Sequence, residues 1–111
     1  MTLSHTAFFG DGEYTFFLSD ELIAELERIA GLGIGALYLR TTKMQFQLAD
    51  LLEVIRLGLI GGGLSPERAA QLVETYGKDR PLGELFPLAM DVLDARWSGN
   101  ETVSDDEVAN A

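Results

Sequence analysis

His5 is the sole histidine of the chain, and imidazole chemistry needs a nucleophile to activate and a group to orient the ring. No residue at catalytic-dyad or metal-ligand spacing accompanies it, so it reads as an exposed, inert side chain. Asp91 and Asp94 stand at i, i+3 on one helix face, but paired carboxylates do acid–base work only where an apolar pocket splits their pKa values. They read as surface charge. Gly61-Gly62-Gly63-Leu64-Ser65 lacks the Gly-Lys-Ser/Thr ending and the preceding strand of a phosphate-binding loop. Gly31, Gly33 and Gly35 space as Gly-x-Gly-x-Gly, which is not the dinucleotide fingerprint. Both glycine groups read as helix punctuation and turn. Asp105, Asp106 and Glu107 lack the alternating ligands, central glycine and distal glutamate of a calcium loop. With no cysteine, disulfides, thiolate metal sites and thiol nucleophiles are excluded. No catalytic residue, cofactor or metal is expected, and the function sought is binding.

The elements that would position a binding surface begin with two aromatic runs around Gly10-Asp11-Gly12 in residues 6–18, the pattern of a β-hairpin whose turn uses glycine at φ > 0. An isolated hairpin is marginal in water, so the face carrying Phe8 and Phe16 is expected to lie on helices. Phe8, Phe9, Tyr14, Phe16 and Phe17 load both faces of a two-stranded ribbon with bulky groups, which leaves one face for a partner or open edges for strand addition.

Helices follow. Ser19 or Asp20 caps the first, with Asp20 and Glu21 in its opening turn and Leu22, Ile23, Leu26 and Ile29 at helical spacing up to Gly31. After the 31–35 corner, residues 34–40 have room for one or two turns before Thr41-Thr42-Lys43 interrupts. The strongest pattern runs from Gln47 to Ile60, where Leu48, Leu51, Leu52, Ile55 and Leu59 form one stripe ended by Gly61-Gly62-Gly63. Ser65-Pro66-Glu67 opens a helix to Tyr76, closed by Gly77. A last one from Asp79-Arg80-Pro81 to Trp97 buries Leu82, Leu85, Phe86, Ala89 and Leu93, with a kink or a broken first turn expected at Pro87.

The 111 residues suit one domain with one core, and 47% apolar against 23% charged residues marks a globular chain. The expected class is α+β: residues 1–97 form an N-terminal hairpin packed on four to five short helices, and residues 98–111, with four acids and no base, form a disordered tail. Removing those four acids from the net charge of −10 leaves −6 on residues 1–97. An acidic surface disfavours nucleic acid, whose phosphates call for cations, and favours basic partners. The N-terminus lacks the basic and apolar regions of a signal peptide, and no 18-residue apolar run exists, so a cytoplasmic, non-membrane protein is expected.

Three segments in succession carry a family likeness: Gly12-Glu13-Tyr14-Thr15-Phe16-Phe17-Leu18, then Leu22-Ile23-Ala24-Glu25-Leu26-Glu27 before Gly31-Leu32-Gly33-Ile34, then residues 48–59 running into Gly61-Gly62-Gly63. In this order the chain resembles the gene transfer agent and phage tail assembly chaperone family, sometimes labelled a phage tail tube protein of gene transfer agents, over roughly residues 7–95. The longer basic tract that this family usually has between strands and first helix is missing, since Ser19-Asp20 follows Leu18 at once. The resemblance implies a morphogenesis factor that binds the tape measure protein and helps tail tube subunits assemble. The expected partner surface is Phe8, Phe9, Tyr14 and Phe17 on the hairpin with Leu52, Ile55 and Leu59 on the long helix. Hairpin edges also offer a route to homo-oligomers. The rival readings are a structural tail component and a small acidic binding module outside phage biology.

Overall fold

A computed structural model describes residues 2–100. Strands β1 (His5–Phe9) and β2 (Gly12–Phe16) pair antiparallel, with Phe9 opposite Gly12 and His5 opposite Phe16. Gly10 opens the two-residue turn at φ 68°, the conformation that favours glycine there. Five helices follow: α1 (Asp20–Ala30), α2 (Ile34–Thr42), α3 (Leu48–Gly61), α4 (Pro66–Tyr76) and α5 (Leu82–Ser98). The expected α+β architecture is the observed one, a hairpin lying on a helical layer.

Local chemistry explains the boundaries. Ser19 Oγ accepts the Leu22 N–H at the start of α1, and Gly31 at φ 78° ends it. Ser65 caps α4 at the Arg68 N–H, with Pro66 in the first turn. At the start of α3, Asp50 accepts the Gln47 N–H at 2.8 Å and is held by the Arg40 guanidinium through two bonds of 3.0 and 2.8 Å. That pairing is what lets a carboxylate sit almost fully buried.

Helix α3 is the centre of the molecule, packing on α1, α4, α5 and β2. Leu51, Val54, Ile55, Leu57 and Leu59 are all buried, a wider band than a single stripe. Around them lie Phe16, Leu18, Leu26, Leu37, Leu72, Leu85 and Val92.

Four expectations are corrected. Thr41 and Thr42 continue α2 instead of interrupting it, because their hydroxyls donate to the Leu37 and Leu39 carbonyls one turn back. Pro87 leaves no broken first turn, one of the two outcomes expected there: α5 is helical from Leu82 to Ser98 with the proline inside it. Leu82, expected in the core, is half exposed at the helix start. The chain is also still part of the fold past Trp97. Asn100 pairs with Thr2 through two backbone bonds of 2.8 and 2.6 Å, and its side-chain amide donates to the Ser4 carbonyl. The expected disordered tail lies otherwise, from residue 101 on, outside the described residues.

Candidate functional site

The hairpin alternates strictly. His5, Ala7, Phe9, Tyr14 and Phe16 turn toward the helices, while Thr6, Phe8, Glu13 and Thr15 turn away. Phe8 is therefore the one large apolar side chain on the outer face, 70% exposed opposite Glu13, and it does not lie on the helices as expected. The outward Thr6 and Thr15 hydroxyls lie 3.3 Å apart. The ribbon thus does not carry a second apolar face.

Of the other expected partner residues, Tyr14 and Phe17 are half-buried. The Tyr14 hydroxyl donates to Asp11, and Arg68 of α4 reaches that same carboxylate at 2.8 Å, tying the hairpin tip to α4. The Tyr14 and Arg68 bonds hold the Asp11 carboxyl below the usual carboxylate range, and the hydrogen bond to Asp11 pushes the Tyr14 phenol up. Phe17 donates its backbone N–H to the Gly58 carbonyl at 2.9 Å. Leu52 is half-buried beside Gly77. Phe9, Ile55 and Leu59 are corrections: at 7%, 0% and 0% exposure they belong to the core, and of the three only Phe9 keeps an edge at the surface, where it lines a groove. Phe9 packs edge-on to Phe16, and the all-round apolar character of α3 places Ile55 and Leu59 under its neighbours.

The exposed apolar side chains that sequence spacing missed lie elsewhere. Leu39, Met44, Leu48 and Leu82 are each at least half exposed, and the stacked rings of Phe46 and Phe86, 5.4 Å apart, bring the segment between α2 and α3 against α5. Trp97, 54% exposed, stacks on Tyr38 at 4.2 Å. Spacing puts Leu48 in the α3 stripe and Leu82 on the buried face of α5, yet both are exposed because each starts a helix whose later turns are the buried ones, and Met44 sits in a loop that has no helical period.

Glycines 61 and 62, expected as punctuation, are a docking surface for β2. A Cβ on Gly61 would stand 1.7 Å from the Phe17 carbonyl oxygen, and one on Gly62 equally close to that of Thr15. They also punctuate as expected: α3 ends at Gly61, Gly62 is its C-cap, and Gly63, at φ 120°, completes the turn. The outer edge of β2 stands against the end of α3, leaving β1 as the edge strand.

His5 also departs from expectation: it is largely buried and stands 3.6 Å from Asp91, while Asp94 accepts the Tyr38 hydroxyl at 2.6 Å. The two aspartates thus face different neighbours. Among the described residues no three acidic or histidine side chains gather as metal ligands, and no helix is long and apolar enough to cross a membrane.

Against known families, the model described as "Phage tail tube protein, GTA-gp10" matches residues 3–99. The chain belongs to this tail family. The match spans the hairpin and all five helices, so the resemblance carried by the three sequence segments extends over the whole described fold. No curated protein and no solved structure gives a match. The surfaces described above, Phe8 on the hairpin and the apolar side chains around the Phe46–Phe86 stack, are therefore surfaces of a phage tail protein.

Proposed function

We propose that this tail-family member is an assembly chaperone that works by binding, without catalysis, in the cytoplasm of the producing cell. Its partners are the tape measure protein and tail tube protein, whose apolar segments it covers before they assemble. The observation that carries this reading is the set of large apolar side chains left in solvent, Phe8, Leu39, Met44, Leu48, Leu82 and Trp97, on a chain of net charge −10. Scattered exposed apolar residues are ordinary, but Met44 and Leu48 flank Phe46 in the chain and Leu82 stands one helical turn before Phe86, so three of them adjoin one aromatic stack, as in protein-binding surfaces. The strong charge keeps such a protein and its cargo in solution. Tyr14, Phe17 and Leu52, each half-buried, keep part of their apolar area for a partner.

Co-expression with the tape measure protein, followed by size-exclusion chromatography with light scattering, tests it. A complex with several copies of this chain per tape measure is expected. Two separate peaks, with both the tape measure and the tail tube protein, would sink the chaperone reading. The words of the family description favour one second reading, a structural component of the tail. It requires this polypeptide in purified particles by mass spectrometry, whereas the chaperone is absent or scarce there.

A further inference from the structure

We infer that the outer edge of β1 is a docking site for an extended, basic-flanked segment of a partner protein, which adds to the hairpin as a third strand. The register dictates which groups are free. Phe9 and Gly12 flank the two-residue turn, so the narrow hydrogen-bonded pairs are Phe9–Gly12, Ala7–Tyr14 and His5–Phe16. The N–H and C=O groups of Thr6 and Phe8 therefore point away from β2, and among the described residues no group bonds to them. On the opposite edge of the ribbon the end of α3 stands against the Thr15 and Phe17 carbonyls, which obstructs strand addition along β2.

Two observations make this edge a site. A groove of about 350 Å³ lies at the turn end of this edge, lined by Phe8, Phe9, Tyr76, Arg80, Glu84 and Leu88. One wall is the strand and another is α5, which passes β1 with Asp91 near His5 and Leu88 near Phe8. An added strand would alternate its side chains between the Phe8 face and this groove, the arrangement by which strand-adding domains combine backbone bonds with side-chain pockets. The chain itself already uses the N-terminal continuation of this strand in the same way: Asn100 pairs there with Thr2 as an antiparallel partner.

Charge selects the occupant. Glu84 and Asp91 of α5 stand on this side of β1 against Arg80 and His5, Arg80 already leans on Glu84 at 3.7 Å, and the chain as a whole carries −10. A segment with lysine or arginine beside its apolar residues is complementary, and an acidic one is repelled. A second copy of this chain brings the same acids, and its own α5, to the same side.

The inference rests on this edge and not on which tail protein is bound, so its test is independent of the chaperone reading. Random dodecapeptides displayed on a surface are selected against the full chain, and amide hydrogen exchange is followed with the tightest binders. Expected are basic-flanked binders that slow exchange specifically at Thr6 and Phe8 and that weaken as salt rises. Thr6→Pro removes one free donor without touching a hairpin bond, and Phe8→Lys places a like charge on an exposed position; each should weaken binding at least roughly tenfold. Should Thr6→Pro fail to fold, Phe8→Lys carries the test alone. The proposal is overturned if the Thr6 and Phe8 amides are already protected in the free chain, if binders leave them exposed, or if no basic-flanked binder emerges.

Discussion

At the scale of single residues, the glycines separate by what stands next to them. Gly62→Ala would drive a methyl group into the Thr15 carbonyl, and neither the helix end nor the strand can yield without losing the other's packing. We expect a loss of about 3 kcal/mol or more in urea unfolding. Gly35, in the first turn of α2, meets nothing within 4 Å, and Gly35→Ala should stabilise by about 0.5 kcal/mol in the same assay. The Tyr38 phenol gives a pH signature. Its bond to the Asp94 carboxylate, with some burial, raises it above the usual tyrosine value, so its contribution is complete below about pH 10 and fades as pH climbs through the raised value. Tyr38→Phe should cost about 1 kcal/mol at neutral pH and flatten that alkaline limb in melting curves.

Elements respond as units. The hairpin tip is tied to α4 through Asp11, whose carboxyl is held low by Tyr14 and Arg68, so the tie is intact above the ordinary aspartate range and is lost as pH falls through the lowered value. Amide exchange at Gly10–Gly12 should quicken on acidification before the core does, and Arg68→Ala should bring this on at higher pH. Helix α5 carries Pro87 where the Gly83 carbonyl would otherwise find its donor. Pro87→Ala should therefore stabilise by about 1–3 kcal/mol, read as a raised melting temperature. Much of this element layer was legible in sequence. Ser19, Gly31, Ser65, Pro66 and Gly77 mark helix ends by chemistry that acts within a few residues, and the observed ends fall there. What was not legible depends on distant neighbours. The run 61–63 is the terminator it looks like, but that Gly61 and Gly62 also make room for the Thr15 and Phe17 carbonyls is visible only with β2 against them. Ile55 and Leu59 look like a stripe with a free side until α1, α4 and α5 are seen to surround α3, and Phe8 cannot be told from Phe9 until the turn sets which faces the helices.

For the whole molecule, exposure sorts the surface from the scaffold. Phe8→Asp should leave the melting temperature almost unchanged while weakening capture of a tail partner, because its side chain is 70% exposed. Ile55→Ala, at full burial, should cost about 2–5 kcal/mol and abolish binding only by unfolding the chain. Thermal denaturation beside a pull-down separates the two. The family match over residues 3–99 agrees with this unity, since it begins in the segment that Asn100 joins and ends beside Asn100 itself. That bridge has a topological consequence. With Thr2 and Asn100 hydrogen-bonded side by side, a linker of a few residues can join them into a ring, and the ring can be reopened at the exposed Met44–Gln45 loop between α2 and α3. Such a circular permutant should recover the same fold with its helices read in a new order, its hairpin now in the interior of the sequence and no longer at its start.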